Sequence, residues 1–158
     1  MVTLAAVRAA RERIRGGIVE TLCAPTDVFG DLVPGRLSLK FENHQHTGSF
    51  KDRGSLNKLL QLDADERARG VVTASAGNHA QALAYHGGRL GIPVTVVMPE
   101  TAPLIKVSNT RGYGARVKQV GTILDDSAVE ARRLAQEESL VMVPAFDDEA
   151  VIAGQGTM

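Results

Sequence analysis

Short apolar segments alternate with segments of helical periodicity through the second half of the chain. The apolar segments predict strands at residues 71–74, 94–98, 115–120 and 140–143. The segments after the first three predict helices at residues 80–90, 102–111 and 124–138, with Leu124, Ala128, Ala131 and Ala135 on the inward stripe of the last. Strands that are apolar throughout and separated by helices are typical of a parallel sheet covered on both faces. The predicted fold class is α/β, a three-layer open parallel sheet over residues 56–145.

The first seventy residues carry a different pattern. A helix is predicted over residues 3–15, with Leu4, Val7, Ala10 and Ile14 facing inward. A loop with Gly30, Pro34 and Gly35 precedes an alternating strand at 37–41. A second helix is predicted over about 50–62, and the polar run 63–69 with Gly70 is expected to end it. No internal repeat or long linker divides the chain.

The composition indicates a small-molecule partner. Eighteen basic and 18 acidic residues balance, aromatic residues make up 4% of the chain and Trp is absent. No net field therefore favours nucleic acid or an anionic membrane, and no apolar run approaches the roughly 20 residues of a membrane span. Cys23 is the only cysteine and is predicted to be a buried structural thiol. A chain that can form no internal disulfide fits a cytoplasmic location.

The turn after the first predicted strand of the sheet is a candidate anion site. It reads Thr-Ala-Ser-Ala-Gly-Asn-His over residues 73–79. Ligands of parallel sheets bind where strands end and helices begin, and a helix start offers free amides with partial positive charge. Gly77 allows a close approach of the backbone, and Ser75 and Asn78 add hydrogen-bond donors. A carboxylate or phosphate is expected there, although an ordinary capping turn has the same pattern.

Lys51 is a candidate Schiff-base lysine. Ser49 is a suitable N-cap, so Lys51 falls in the first turn of the second helix, where the helix dipole lowers the pKa of a cation. An amine with a lowered pKa is what Schiff-base chemistry needs, and Phe50 offers an apolar face to a flat ring. A solvated surface lysine remains the alternative on these residues alone.

Other kinds of site find little support in the sequence. His44 and His46 share one side only if the strand continues through them, and neither cysteines nor acidic residues complete a metal site. His86 is expected near the exposed edge of its helix as a structural residue. Two ligands do not make a metal site, so no metal is predicted. The sequence also contains no nucleophile elbow, P-loop or dinucleotide fingerprint.

Four sequence segments resemble segments of the threonine/serine dehydratase family, and they occur in the same order as in that family. The members are pyridoxal-phosphate enzymes with the tryptophan-synthase-β-like fold. The four segments are Thr-Gly-Ser-Phe-Lys-x-Arg-Gly at 47–54, Ala-Ser-Ala-Gly-Asn-His-Ala-Gln at 74–81, Val-Met-Pro at 97–99 followed by Ala102, Pro103 and Lys106, and Val-Ile-Ala-Gly-Gln-Gly-Thr at 151–157. The segments extend over most of the chain.

The resemblance implies a role for each candidate residue. Lys51 carries pyridoxal phosphate as a Schiff base and is the catalytic base at Cα, with Phe50 near the cofactor ring. Asn78 hydrogen-bonds the cofactor's phenolic oxygen, and Ser75, Gly77, Asn78 and His79 bind the substrate carboxylate. The implied reaction eliminates the β-hydroxyl of threonine or serine and gives a 2-oxo acid and ammonia. The full-length enzyme is expected to be a homo-oligomer.

The resemblance also implies domain boundaries and a truncation. Residues 1–55 correspond to the start of the large cofactor domain, 56–145 to the small α/β domain and 146–158 to the return into the large domain. The family's glycine-rich phosphate loop and the residue facing the pyridine nitrogen lie beyond residue 158, so this chain is expected to be nearly inactive alone.

Several related functions stay open at this point. Serine racemases of the family carry a serine at the position of Ala76, so Ala76 favours elimination over racemisation. Threonine synthase and a lyase for another hydroxy-amino acid are alternatives within the family. A non-catalytic amino-acid-binding fragment is the alternative outside enzymes, and Lys51 beside Phe50 counts against it.

Overall fold

A four-stranded parallel sheet forms the centre of the computed structural model, which describes residues 1–28 and 35–158. The strands are β3 (Val71–Ala74), β4 (Val94–Met98), β5 (Arg116–Gln119) and β6 (Val141–Met142). Their order across the sheet is β5-β4-β3-β6. All four predicted strands and the parallel α/β class are therefore confirmed.

Helices cover both faces of this sheet, as the apolar strands predicted. They are α4 (Asn78–Leu90), α5 (Leu104–Gly112) and α6 (Leu124–Glu137). Val71, Val96 and Met98 pack with side chains of α4 and α5 in one apolar core. Their alternates Val72 and Val97 pack with α6 in a second core, because successive side chains of a strand point to opposite faces.

The remaining elements lie outside the four-stranded sheet. The helices are α1 (Leu4–Ile14), α2 (Lys51–Leu59), α3 (Ala64–Arg69) and α7 (Glu149–Gln155). Strands β1 (Cys23–Pro25) and β2 (Ser38–Lys40) form a separate antiparallel pair. Gly30 and Pro34, which the sequence assigns to a loop, lie outside the described residues.

Helix α2 packs tightly against α7 because glycines meet at their crossing. A Cβ atom added to Gly154 would lie 2.7 Å from the carbonyl oxygen of Arg53 and 2.7 Å from the Cα atom of Gly54. The Asn57 amide also donates to the carbonyl of Ala150 at 2.7 Å. Glycine is needed here because the two backbones approach too closely for any side chain. This contact brings the chain end at residues 149–155 against the helix that begins with Lys51.

A buried ion pair holds the other side of α2. The Arg53 guanidinium donates from Nε and Nη2 to both carboxylate oxygens of Glu42, each at 2.8 Å. Thr21 and Gln45 donate to the same carboxylate. These donors hold the pKa of Glu42 below its usual value, against the opposing effect of burial. The pair anchors the short helical turn at Glu42–His44 to α2.

Several predictions about individual residues are wrong. Cys23 is exposed, because it lies in β1, which pairs on one side only with β2. Leu4 is exposed at the start of α1, whereas Ala10 and Ile14 are buried as predicted. Leu124 is 48% exposed, and Leu134 instead supplies the buried leucine of α6.

Two further differences concern helices. The polar run at 63–69 forms α3, since Asp63 accepts from the Glu66 amide and the Glu66 side chain accepts from the Asp63 amide. This reciprocal capping box was a readable signal for a helix start. His86 is buried rather than at an exposed edge, and its Nε2 atom lies 2.8 Å from Asp52 Oδ1. The Asp52 side chain on α2 supplies a hydrogen-bond partner, which offsets the cost of burying the polar ring of His86.

The length and hydropathy of the helices determine whether any of them could cross a membrane. Among the described residues, no helix combines the length and hydropathy that crossing a bilayer requires.

The glycine crossing of α2 and α7 can be tested by substitution. Gly154→Ala is expected to lower the free energy of unfolding by about 1–3 kcal/mol, because the new methyl group meets backbone atoms that cannot rotate away. Urea unfolding measures this change. Gly112→Ala is the matched control, since its Cβ atom meets nothing within 4 Å and no loss of stability is expected. Equal stability of the two variants would contradict the packing described for this crossing.

Candidate functional site

The candidate site is a cleft at the carboxyl edge of the sheet, where the strand order reverses. β4 and β5 are added on one side of β3 and β6 on the other, so the connections to β4 and β6 leave by opposite faces. Ligands of open parallel sheets bind at such a reversal. The cleft has a volume of about 730 Å³ and a largely apolar lining.

Lys51 lies in this cleft at the start of α2. Its Nζ atom donates to the carbonyl oxygen of Ala145, which follows β6, at 2.8 Å. Ser49 is not the N-cap that the sequence predicted, because the helix begins at Lys51 and Phe50 takes the cap position without a side-chain hydrogen bond. The Ser49 hydroxyl accepts from the Lys51 amide at 3.3 Å. The pKa of Lys51 is lowered, as predicted, because burial disfavours the charged amine. The amine therefore loses its proton more readily than a surface lysine.

The turn after β3 lines the same cleft, including Ser75, Gly77, Asn78 and His79. The Ser75 hydroxyl accepts from the Gly77 amide at 3.3 Å, which shapes the turn. Among the described residues, no side chain caps the start of α4, and a Cβ atom at Gly77 would meet nothing within 4 Å. The first amides of a helix have no partner within it, so they are available to an anion. The structure thus brings Lys51 and the predicted anion turn together.

The side chain of His79 points away from solvent and ties the turn to its neighbours. Its Nε2 atom lies 3.1 Å from the carbonyl oxygen of Val143, and its Nδ1 atom lies 3.5 Å from the Ser55 hydroxyl. Because a carbonyl can only accept, Nε2 carries the hydrogen. Burial lowers the pKa of His79 to about 4, so the ring is neutral at pH 7. Any contact of His79 with a carboxylate would therefore come from its backbone amide.

Asn78 lies at the mouth of the cleft and is held by a lysine of the next helix. Its Oδ1 atom accepts from Lys106 Nζ at 3.0 Å. Lys106 is in the first turn of α5, which follows β4, the strand beside β3. The contact joins two helix starts on neighbouring strands.

Not every candidate residue lines the cleft. Phe50 is not among its lining residues, although the ring centroid lies 5.3 Å from Lys51 Nζ. Sequence reasoning missed the far wall, which consists of Pro99, Leu124, Asp125, Ala128, Ala131, Arg132, Met142, Pro144, Ala145 and Phe146. Pro144 and Ala145 directly follow the fourth predicted strand, so the rule that ligands bind beyond strand ends could have found them.

The histidines before Lys51 do not form a site. β2 ends at Lys40, and Glu42–His44 is a short 3-10 turn, so the strand does not continue through them. His44 stacks on Phe41 and His46 on Tyr85. Within residues 1–28 and 35–158, no group of three or more histidine, cysteine or acidic side chains could hold a metal ion.

The residues of the cleft fit an aldehyde cofactor with an anionic substrate. A half-buried amine with a lowered pKa faces a space large enough for a flat ring. The apolar wall suits the faces of such a ring, and the free amides beside Gly77 suit a carboxylate. This arrangement defines a parallel α/β protein with a lysine-lined cleft at the reversal of strand order.

Comparison with known proteins identifies the family. The model of the pyridoxal-phosphate-dependent enzymes matches residues 14–158. The chain therefore belongs to the family of pyridoxal-phosphate-dependent enzymes.

Individual relatives agree with this assignment. The chain is 44% identical over 158 residues to the L-threonine ammonia-lyase of Thermotoga maritima, covering 100% of this chain and 39% of the relative. It is 42% identical over 149 residues to the L-threonine dehydratase catabolic TdcB of Escherichia coli K12, covering 94% and 45%. The crystal structure of serine racemase from Dictyostelium discoideum superposes with a TM-score of 0.90 at 39% identity, over 99% of this chain and 51% of that one.

The chain thus spans about half the length of the proteins that it resembles or less. These likenesses confirm the fold of tryptophan-synthase-β-like enzymes and the resemblance to threonine dehydratases.

A substitution at Gly77 can test ligand binding separately from stability, because the space around this residue is open. Gly77→Ala is expected to change the free energy of unfolding by less than about 0.5 kcal/mol, because the methyl group meets no protein atom. The same methyl group would enter the open space beside the free amides, so affinity for a carboxylate or phosphate ligand should fall about tenfold or more. Urea unfolding and titration with such a ligand measure the two effects. Unchanged affinity would show that the turn does not grip a ligand.

The buried His79 predicts a dependence of stability on pH. Between pH 6.5 and about 4 this imidazole is protonated in the unfolded chain but not in the folded one, so lowering the pH favours unfolding. The loss should be about 2 kcal/mol between pH 7 and pH 5.

His79→Gln is the control for this effect. Glutamine keeps a donor for Val143 but cannot titrate, so the variant should lack this part of the pH dependence. Urea unfolding of both proteins at pH 7 and pH 5 measures the difference. Identical pH profiles would mean that His79 is not buried in its neutral form.

Proposed function

We propose that the full-length protein is a pyridoxal-phosphate-dependent ammonia-lyase. It removes the β-hydroxyl group of L-threonine, L-serine or both, and yields a 2-oxo acid and ammonia. The observation that carries the proposal is the shared cleft, in which the Lys51 amine and the free amides of the Ser75–His79 turn face one space. The names of relatives from Thermotoga maritima and Escherichia coli support the same reaction.

Lys51 has two roles in this proposal. Its amine would hold the cofactor through the aldehyde group, and it would also serve as the base that takes the proton from Cα of the substrate. Burial assists both roles because it favours the uncharged amine. The carbonyl of Ala145 orients Nζ. Pyridoxal phosphate, when bound, supplies the electron sink that stabilises negative charge at Cα.

The turn after β3 orients the substrate. The turn at Ser75, Gly77, Asn78 and His79 would bind its carboxylate through the backbone amides of Asn78 and His79 and the Ser75 hydroxyl, aided by the positive end of α4. Asn78 would donate to the cofactor's phenolic oxygen, and Phe50 would pack near the ring from beside Lys51. The neutral side chain of His79 keeps the turn on β6 and Ser55.

Ala76 favours elimination over racemisation. It lines the cleft in the turn that is proposed to bind the substrate, and its methyl group can neither give nor take a proton. A racemase needs a second acid–base group on the opposite face of Cα from Lys51. Serine racemase therefore remains the second candidate, supported by the structural similarity alone.

Other features of the whole protein are proposed from the family pattern. Residues 1–55 and 146–158 would belong to the large domain and 56–145 to the small domain, with α2 bridging the two parts. The protein would work in the cytoplasm as a homo-oligomer on a free amino acid, without nucleic-acid or membrane partners.

The proposal predicts that Lys51 is required for covalent attachment and turnover. In the full-length protein with pyridoxal phosphate, borohydride reduction followed by mass spectrometry should label Lys51. Lys51→Arg keeps the charge but should abolish the label and lower the rate of 2-oxobutanoate formation from threonine by at least about 10³-fold.

Lys118→Arg is the matched control, since Lys118 lies on β5 outside the cleft and pairs with Glu130. It should retain both label and activity. Turnover by Lys51→Arg at the wild-type rate would contradict the proposal. Chiral analysis of serine after incubation distinguishes the second candidate, because accumulation of D-serine would identify a racemase.

A further inference from the structure

The orientation of the Asn78 amide is determined by its neighbour Lys106. The two side chains meet at 3.0 Å between Lys106 Nζ and Asn78 Oδ1. An ammonium group has three donors and no acceptor, so only the oxygen of the amide can face it. The amide nitrogen must then point away from Lys106. Within residues 1–28 and 35–158, that nitrogen donates to no protein acceptor.

The position of Lys106 is itself well defined. Its backbone amide donates to the carbonyl of Pro103 at 2.9 Å, which starts α5. One turn further on, the side-chain amide of Asn109 donates from Nδ2 to Gln81 Oε1 at 3.2 Å, which is a second polar contact between α5 and α4. Because β3 and β4 are adjacent parallel strands, both helices begin at the same edge of the sheet. The fold thus presents the lysine to Asn78 at a fixed place.

We propose that Lys106 is a positioning residue that keeps the two N–H donors of Asn78 directed into the cleft, toward an acceptor oxygen of the cofactor. The inference rests on the cofactor-binding role proposed for Asn78. An amide without a fixed partner can turn by 180° and present its oxygen instead, and an oxygen facing an acceptor oxygen repels it. Lys106 removes that alternative. A nearby cation also polarises the amide and strengthens its N–H donors.

Substitutions at Lys106 test this by changing which amide atom is favoured. Lys106→Arg keeps a donor, so affinity for pyridoxal phosphate should stay within about twofold of wild type. Lys106→Met removes the donor and should weaken affinity about 2- to 10-fold. Lys106→Glu offers an acceptor, which binds the amide nitrogen and turns the oxygen into the cleft, so it should be weaker than Lys106→Met.

The measurement is titration of the full-length apoenzyme with pyridoxal phosphate, together with the absorption maximum of the bound cofactor. The absorption maximum should shift in the Met and Glu variants, because the phenolic oxygen loses its donor. Lys118→Met and Lys118→Glu make the same changes of charge outside the cleft and should alter neither quantity. Thermal unfolding of every variant verifies that each one is folded.

A double-mutant cycle tests whether Lys106 acts through Asn78. In an Asn78→Ala background, Lys106→Met should change cofactor affinity by less than about twofold. The same loss as in the wild-type background would overturn the proposal, as would unchanged affinity and absorption in both Lys106→Met and Lys106→Glu.

The cycle also separates this inference from the proposed function. If Asn78→Ala binds the cofactor like wild type while Lys51→Arg loses covalent attachment, the inference is wrong and the lyase proposal stands. If the wild-type protein itself takes up no cofactor, the proposed function fails.

Discussion

The reversal of strand order at β3 is the constraint on which the site depends. β6 pairs with β3 on the side opposite β4, so α4 and α6 leave this edge of the sheet on opposite faces and a crevice opens between them. The hydrogen bond from His79 to the carbonyl of Val143 links the two sides of this crevice, because it joins the first turn of α4 to the residue that follows β6. Had β6 been added beyond β5, the turn after β3 would have no facing wall.

Helix α2 places the Lys51 amine in that crevice by directing three successive side chains to three partners. Lys51 reaches the carbonyl of Ala145, Asp52 meets His86 of α4, and Arg53 pairs with Glu42. Neighbouring residues of an α-helix are rotated by about 100°, so one turn of helix can make all three contacts. Asp52 also accepts from the amide and hydroxyl of Thr47, which orders the approach to the lysine. These contacts fix the rotation of α2 about its axis and its position along that axis. They thereby hold Lys51 Nζ in the cleft.

Burial shifts the protonation equilibria of two side chains at the site. It lowers the pKa of Lys51 and holds His79 neutral, and both effects arise because a charged group loses hydration in an apolar setting. A neutral His79 does not compete with Lys51 for a carboxylate and adds no repulsion to the amine at pH 7. The positive end of α4 is then available to attract an anion at this side of the cleft.

The sequence by itself determined the strands, the helices on both sides of them, the free amides before α4 and the family. These properties depend on residues that are close along the chain. Examples are the alternation of apolar strand segments with helical segments over residues 71–143 and the composition of the Ser75–His79 turn. Only the tertiary structure decided which side chains meet. The partners of Lys51, Asp52 and Asn78 are Ala145, His86 and Lys106, which lie 94, 34 and 28 positions away. Cys23 and His86 were misplaced for the same reason, because burial depends on what packs against a residue, and periodicity along the chain does not record that.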